Sequence, residues 1–233
     1  MIYITGDTHG NFSRVVSLCE KIHTSVEDVL IILGDAGING FGKEQDRRLK
    51  RVLSRLPITL FCIHGNHEER PQNIPGYAEI LWRRGTVFVE PEFPHLLFAK
   101  DGETYDFGGK RCLVIGGAYS VDKYYRLARG RRWWTDEQPS AEIKARVEKC
   151  LEKENWRVDI VLTHTCPLQY EPIEVFLPGI DQSTVDKSTE EWLGTIERRL
   201  SYEKWYCGHY HTSKQVDRLV FMFQDISAFP VDG

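Results

Sequence analysis

The chain has 233 residues, a formal net charge of -4, 41% apolar residues and 27% charged residues, the profile of a soluble globular protein long enough to bury a large core. That charge argues against a surface coated for nucleic acid or membrane, and no apolar run approaches the roughly 18 residues of a membrane helix. Met1 runs directly into Ile2-Tyr3-Ile4 with no basic leader, so the reading is a cytoplasmic protein without a signal peptide. Its six cysteines (Cys19, Cys62, Cys112, Cys150, Cys166 and Cys207) are widely spaced and lie mostly in apolar runs, which suits reduced thiols acting as small hydrophobes.

Residues 1–4 read as a short strand, followed by the polar loop Thr5-Gly6-Asp7-Thr8-His9-Gly10. A helix follows, with Phe12, Val15, Val16, Cys19 and Ile22 on one face. Residues 28–33 form an apolar strand that stops at Gly34-Asp35. Continuous rather than alternating apolarity indicates burial on both faces, as in a parallel sheet. A second helix spans 43–55, with Leu49, Val52, Leu53 and Leu56 inward. The next apolar run, 58–63, ends at Gly65-Asn66-His67-Glu68. This is a β-α-β-α-β order, for which right-handed crossovers make all three strands parallel. Their equivalent ends carry Asp7 and His9, then Asp35, then Asn66 and His67.

The middle of the chain is β-rich, with short segments at 79–83, 86–90, 96–99, 103–107 and 111–115 broken by Gly and Pro. Residues 116–123 open a long loop that carries Tyr124, Tyr125, Arg126, Arg129, Arg131, Arg132, Trp133 and Trp134. A helix spans 140–152 with Ile143, Val147 and Leu151 on one face. Residues 159–164 read as a buried strand ending in His164, and 167–187 as irregular. Ser188-Thr189-Glu190-Glu191 has a capping-box pattern ahead of the apolar stripe Trp192, Leu193, Ile196 and Leu200. A short strand at 205–211 ends in His209 and His211, and 216–223 supplies closing strands. Without repeats, low-complexity segments or a linker, residues 1–233 read as one domain.

Asp7, His9, Asp35, Asn66, His67, His164, His209 and His211 thus collect at strand ends. Carboxylate oxygen and neutral imidazole are ligands of first-row divalent metals. Asp-x-His and His-x-His each place two donors on one loop. There are too many donors for one tetrahedral ion, whereas two ions sharing a carboxylate would use them; Asp35, from the second of the three strands, is the candidate bridge. The mixed set favours Mn, Fe, Zn, Co or Ni over Mg or Ca. A metal-activated hydroxide would be the nucleophile. His67, beside Asn66, is then free to assist the leaving group or bind the phosphate.

Asp7-Thr8-His9, Gly34-Asp35, Gly65-Asn66-His67-Glu68, Thr163-His164 and Gly208-His209-Tyr210-His211 resemble, in order, the five motifs of the calcineurin-like metallophosphoesterase superfamily. The resemblance implies a four-layer α/β/β/α sandwich of two mixed sheets, with a binuclear centre between the sheets. It implies that Asp7, His9, Asp35 and His211 hold one metal, that Asp35, Asn66, His164 and His209 hold the other, and that His67 is the catalytic histidine. The implied activity is hydrolysis of phosphate mono- or diesters, Mn being the first choice of metal.

Gly6-Asp7-Thr8-His9-Gly10 and Gly65-Asn66-His67-Glu68 look like the Ser/Thr protein phosphatase branch, but the second motif departs from it. Ile38 stands where that branch has an acid that orients the histidine, Asn39 where it has an arginine, and His64 where it has another arginine. The aromatic, basic loop offers a replacement grip: Arg126, Arg129 or Arg132 on phosphate, and Trp133 stacking on a ring. His64 is a further candidate substrate contact, and Glu68 reads as structural. The expected substrate is a small phosphoester or nucleotide-like molecule. A phosphoprotein substrate, or a non-catalytic binding scaffold that keeps the fold, are the alternatives.

Overall fold

The computed structural model describes residues 1–230. Its strands are β1 (Ile2–Thr5), β2 (Val29–Ile32), β3 (Thr59–Cys62), β4 (Ala78–Trp82), β5 (Gly85–Val89), β6 (Leu96–Ala99), β7 (Thr104–Phe107), β8 (Lys110–Ile115), β9 (Ile160–Thr163), β10 (Lys204–Cys207), β11 (Lys214–Val216), β12 (Leu219–Phe221) and β13 (Ser227–Ala228). Its α-helices are α1 (Ser13–Ile22), α2 (Lys43–Leu53), α3 (Lys123–Ala128), α4 (Ala141–Lys153) and α5 (Ser188–Glu197).

One sheet runs β13-β1-β2-β3-β6-β5-β4 and the other β11-β12-β10-β9-β8-β7. The interior of each is parallel: β1, β2, β3 and β6 in the first, and β8, β9, β10 and β12 in the second. Antiparallel strands finish the edges.

Period-two alternation sorts the apolar runs into three cores. Ile4, Ile31, Phe61 and Leu97 stand in register across the first sheet. Val114, Leu162, Tyr206 and Val220 do so across the second. Both rows meet in the core between the sheets. The intervening residues point outward: Leu30, Ile32, Leu60 and Cys62 pack with Val15 and Cys19 of α1 and Leu53 of α2. On the other side Leu113, Val161, Trp205 and Leu219 pack with Ile143 and Val147 of α4 and Trp192 and Ile196 of α5. The result is the α/β/β/α sandwich. Each such side chain contributes about 1.5–3 kcal/mol on burial, so the doubly covered parallel strands are the rigid part of the molecule.

Three local expectations are corrected. On α2 the inward face is Asp46, Lys50 and Leu53, whereas Val52 is 60% exposed. Neighbouring helical residues are about 100° apart, so Val52 and Leu53 cannot both face the sheet. Lys50 is buried because its ammonium lies 2.5 Å from Glu90 Oε2 and 4.9 Å from the Tyr77 ring. The capping box at Ser188 does not form. Ser188 is already helical, and its N–H donates to Asp186 Oδ1 at 3.0 Å. Finally, the basic loop contains the short helix α3, with Arg126 Nε donating to Asp122 Oδ2 one turn earlier at 2.8 Å.

Candidate metal centre

The C-terminal ends of β1, β2 and β3 face those of β8, β9 and β10, and hydrogen bonds between side chains and backbone tie the loops there to one another. Asp7 Oδ1 accepts from the His209 N–H at 2.9 Å. Asp35 Oδ1 accepts from the His67 N–H at 2.9 Å. His164 Nδ1 lies 2.8 Å from the Leu33 carbonyl oxygen. The approach is so close that a Cβ at Gly34 (φ +93°) would lie 2.1 Å from His164 Nδ1, and one at Gly208 2.4 Å from Asp7 Oδ1. His9, Asp35, His209 and His211 all have φ between 46° and 67°. For non-glycine residues this left-handed backbone costs about 1–2 kcal/mol each, and such strain collects at functional sites.

Two triads of donors result. Asp7, His9 and His211 form one, and Asp7, Asp35 and His164 the other, each with ligand atoms within 4.8 Å of one another. Asp35 reaches both sides: Oδ2 is 3.9 Å from His9 Nδ1 and Oδ1 is 3.8 Å from His164 Nε2. Asn66 Oδ1 is 2.8 Å from His164 Nε2. The His209 and His164 rings are 5.0 Å apart.

This arrangement fits cations. A neutral His164 donates through Nδ1 to Leu33, which leaves a lone pair on Nε2. That lone pair faces the carbonyl oxygen of Asn66, whose amide nitrogen donates to Ser120 Oγ at 2.9 Å. His9 Nε2 and His211 Nε2 face each other at 2.9 Å. Asp7 Oδ2 is buried, 3.2 Å from His211 Nε2 and 3.6 Å from His9 Nε2. Burial pushes the Asp7 and Asp35 carboxyls up. The hydrogen bond to His211 and the neighbouring histidines outweigh this for Asp7, and the surrounding histidines do so for Asp35, so both lie below the usual range. His211 is raised by its bond to Asp7. His209 is pushed down to about 3 by burial and by His164. The ionised carboxylates and the neutral His209 are already in the state that metal ligation requires, whereas His211 would have to give up its proton to bind.

His67 lines this centre with Nε2 at 4.0 Å from both Asp35 Oδ2 and Asp122 Oδ1. Burial lowers its proton affinity, and Asp35 partly restores it. Asp122, on the turn after β8, was not singled out from the sequence. The strand-Gly-polar layout of 116–122 repeats that of the other motifs and was the available signal. Ile38, at the acid position of the second motif, is fully buried in the outer core. Asn39 donates to the Tyr77 hydroxyl at 3.0 Å. Glu68 is structural: it accepts from the N–H groups of Gly65 at 2.9 Å and Gly37 at 3.3 Å, tying two motif loops together. Burial and the Asp35 charge push its carboxyl up to about 8.

The proposed substrate contacts separate. His64 is 5% exposed and lines neither of the two cavities that meet at His67. Arg126 and Arg132 line a basic cleft with His9, Phe41, His67 and Arg131. Arg129 is not on that cleft and lies 5.5 Å from the Tyr125 ring. Trp133 lies elsewhere too, donating through Nε1 to Glu137 Oε2 at 2.7 Å beneath the Lys123 ammonium, 4.1 Å from its ring. On the other side of His67 is a cavity of about 360 Å³, walled in part by Tyr119, Val121, Val175, Phe176, Ile180 and Val185. Much of that wall is the irregular 167–187 segment, whose sequence carries no motif.

A four-layer sandwich with carboxylates, imidazoles and an amide converging at its strand ends is the architecture of metal-dependent phosphoesterases. The chain belongs to the calcineurin-like phosphoesterase family, whose profile matches residues 1–213. Membership implies a metal-dependent phosphoesterase. No curated protein matches the sequence. The fold is similar to the crystal structure of TT1561 of Thermus thermophilus, at 14% identity and TM-score 0.50, over 95% of this chain and 87% of that one. A second crystal structure aligns at 13% identity and TM-score 0.51, over 95% and 88%. No helix among the described residues is long and apolar enough to cross a membrane.

Proposed function

We propose that this protein hydrolyses small phosphate esters with two divalent ions, Mn²⁺ being the first choice. The observation that supports this most directly is the convergence of ligand atoms: buried Asp7 Oδ2 lies 3.2 Å from His211 Nε2 and 3.6 Å from His9 Nε2, and His164 Nε2 stands against Asn66 Oδ1 at 2.8 Å. Asp7, His9, Asp35 and His211 would hold one ion, and Asp35, Asn66, His164 and His209 the other. When bound, the ions supply positive charge at the phosphoryl oxygens and lower the pKa of a coordinated water.

The protein's own part is orientation and proton transfer. Asp35 turns one oxygen to each donor group, and its bond from the His67 N–H fixes the base of the histidine. His67 stands between the two cavities, so its imidazole can hand a proton to the leaving-group oxygen. Arg126 and Arg132 face the same centre and would orient phosphoryl oxygens.

Metal analysis with a chromogenic phosphate ester and Mn²⁺ tests the reading. His67→Asn should keep the bound metal and lower kcat about 10²–10⁴-fold. Equal loss of metal and turnover would remove His67 from its role. A wild-type protein that takes up no Mn²⁺ and stays inert would instead be a binding scaffold.

A further inference from the structure

The two cavities that meet at His67 differ in chemistry. One is the basic cleft of Arg126, Arg131 and Arg132. The other has the walls of Val121, Val175, Phe176, Ile180 and Val185, and its only ionisable groups away from the metal centre, tyrosines aside, are acids: Asp122, Glu171, Asp186 and Glu190. Glu171 is neutralised by Lys187 at 2.7 Å, Asp122 by Arg126, and Asp186 accepts from Gln138 and the Ser188 N–H. Glu190 is different. It is 4% exposed and lines the cavity. Its Oε1 accepts from Thr165 Oγ1 at 2.7 Å, while Oε2 has no hydrogen-bond partner among the described residues. A buried acceptor left unmade costs about 1–3 kcal/mol, and in a cavity wall it is a place for a ligand's donor.

Resting on the phosphoesterase reading, we propose that the substrate is a monoester of an uncharged, ring-bearing alcohol, and that this leaving group occupies the apolar cavity with an N–H or O–H directed at Glu190. The phosphoryl group sits at the metal centre with its oxygens toward the arginine side. A monoester has a single organic group, so its alcohol is the part that must leave beside His67. The cavity's volume is that of a small-molecule site. An anionic leaving group would be desolvated against apolar walls and set beside Glu190. A nucleoside and a substituted phenol share the required chemistry.

The test uses the full chain with Mn²⁺ and four esters: methyl phosphate, 4-carbamoylphenyl phosphate, 4-carboxyphenyl phosphate and thymidine 5′-monophosphate. The carbamoyl and carboxyl compounds have nearly the same shape but differ in charge and in donors. Wild type should favour the carbamoyl ester by about tenfold in kcat/KM, the scale of one hydrogen bond. Glu190→Gln should shrink that ratio toward unity. Val185→Trp, which fills the cavity, should cut kcat/KM for the ring-bearing esters about tenfold more than for methyl phosphate. Turnover of thymidine monophosphate ahead of the phenyl ester selects the nucleoside source, and the reverse selects the phenol.

Equal use of the charged and uncharged phenyl esters, with no response to Glu190→Gln, would overturn the proposal while hydrolysis of methyl phosphate kept the phosphoesterase reading intact. Inertness toward all four esters with Mn²⁺ bound would take down both.

Discussion

Gly34→Ala is the most direct probe of how the two sheets are held at the metal centre. The new Cβ would lie 2.1 Å from His164 Nδ1 and 2.6 Å from its Cγ, inside any allowed contact. Three costs combine. The left-handed backbone at φ +93° is unfavourable for alanine by about 1–2 kcal/mol. Crowding a packed site adds about 1–3 kcal/mol. Pushing the imidazole away breaks its bond to the Leu33 carbonyl, about 1 kcal/mol. The sum is about 3–6 kcal/mol, a large share of a typical stability of about 5–15 kcal/mol. For a chain of this size that is roughly a 10 °C fall in Tm. Thermal unfolding by circular dichroism and Mn²⁺ stoichiometry by calorimetry read the two effects. The expected result is a lower Tm together with loss of one of two bound ions, because the released ring no longer presents Nε2. A variant with Tm within about 2 °C of wild type and full metal occupancy would refute the assignment of His164 as a ligand fixed through Leu33.

Further outcomes follow from other parts of the structure. His211 is raised from 6.5 by Asp7, so in the metal-free protein this pair stabilises fully below about pH 6.5 and less as pH rises through the folded value. Ligation needs the neutral imidazole, so Mn²⁺ affinity should rise with pH across the same window. A pH-independent Kd between pH 6 and 8 would count against His211 as a ligand. Arg70 and Asp101, 3% and 4% exposed, pair at 2.5 Å, and Asp101 also accepts from the Gly116 N–H at 2.6 Å. Arg70→Met should therefore cost about 3–5 kcal/mol in urea unfolding, the penalty of stranding one member of a buried pair. On α2, Leu53→Ala should cost about 2–5 kcal/mol whereas Val52→Lys should stay within about 0.5 kcal/mol. Similar losses for both would mean the helix is rotated from the described face.

The parts of the fold that periodicity controls were legible in the chain. The apolar runs ending at Asp35, Asn66 and His164 are strands because nothing else accommodates four buried residues in a row between layers, and β6 falls on residues 96–99 as read. The donors were legible because each sits immediately after such a run, where parallel topology leaves only one end available. What was not legible depends on contacts between distant segments. Val52 and Lys50 exchange places because Glu90 and Tyr77 make a buried ammonium acceptable. His64, one residue from a glycine in a motif, is buried and off both cavity walls. Trp133 is committed to Glu137, which also holds Ser120 at 3.1 Å through its N–H, and that chain of bonds sets the Asn66 amide. The apolar cavity wall comes from 3₁₀ turns at 168–184, whose side chains show no period to read.

The bond between His9 and His211 spans 202 positions of the chain. Every route to that donor group passes through both sheets, since residue 9 follows the first strand and residue 211 follows the tenth. Half a molecule therefore carries no half-working centre. During synthesis the ribosome must release nearly the whole polypeptide before the donors can converge, and an ion arriving earlier finds only scattered aspartates and histidines.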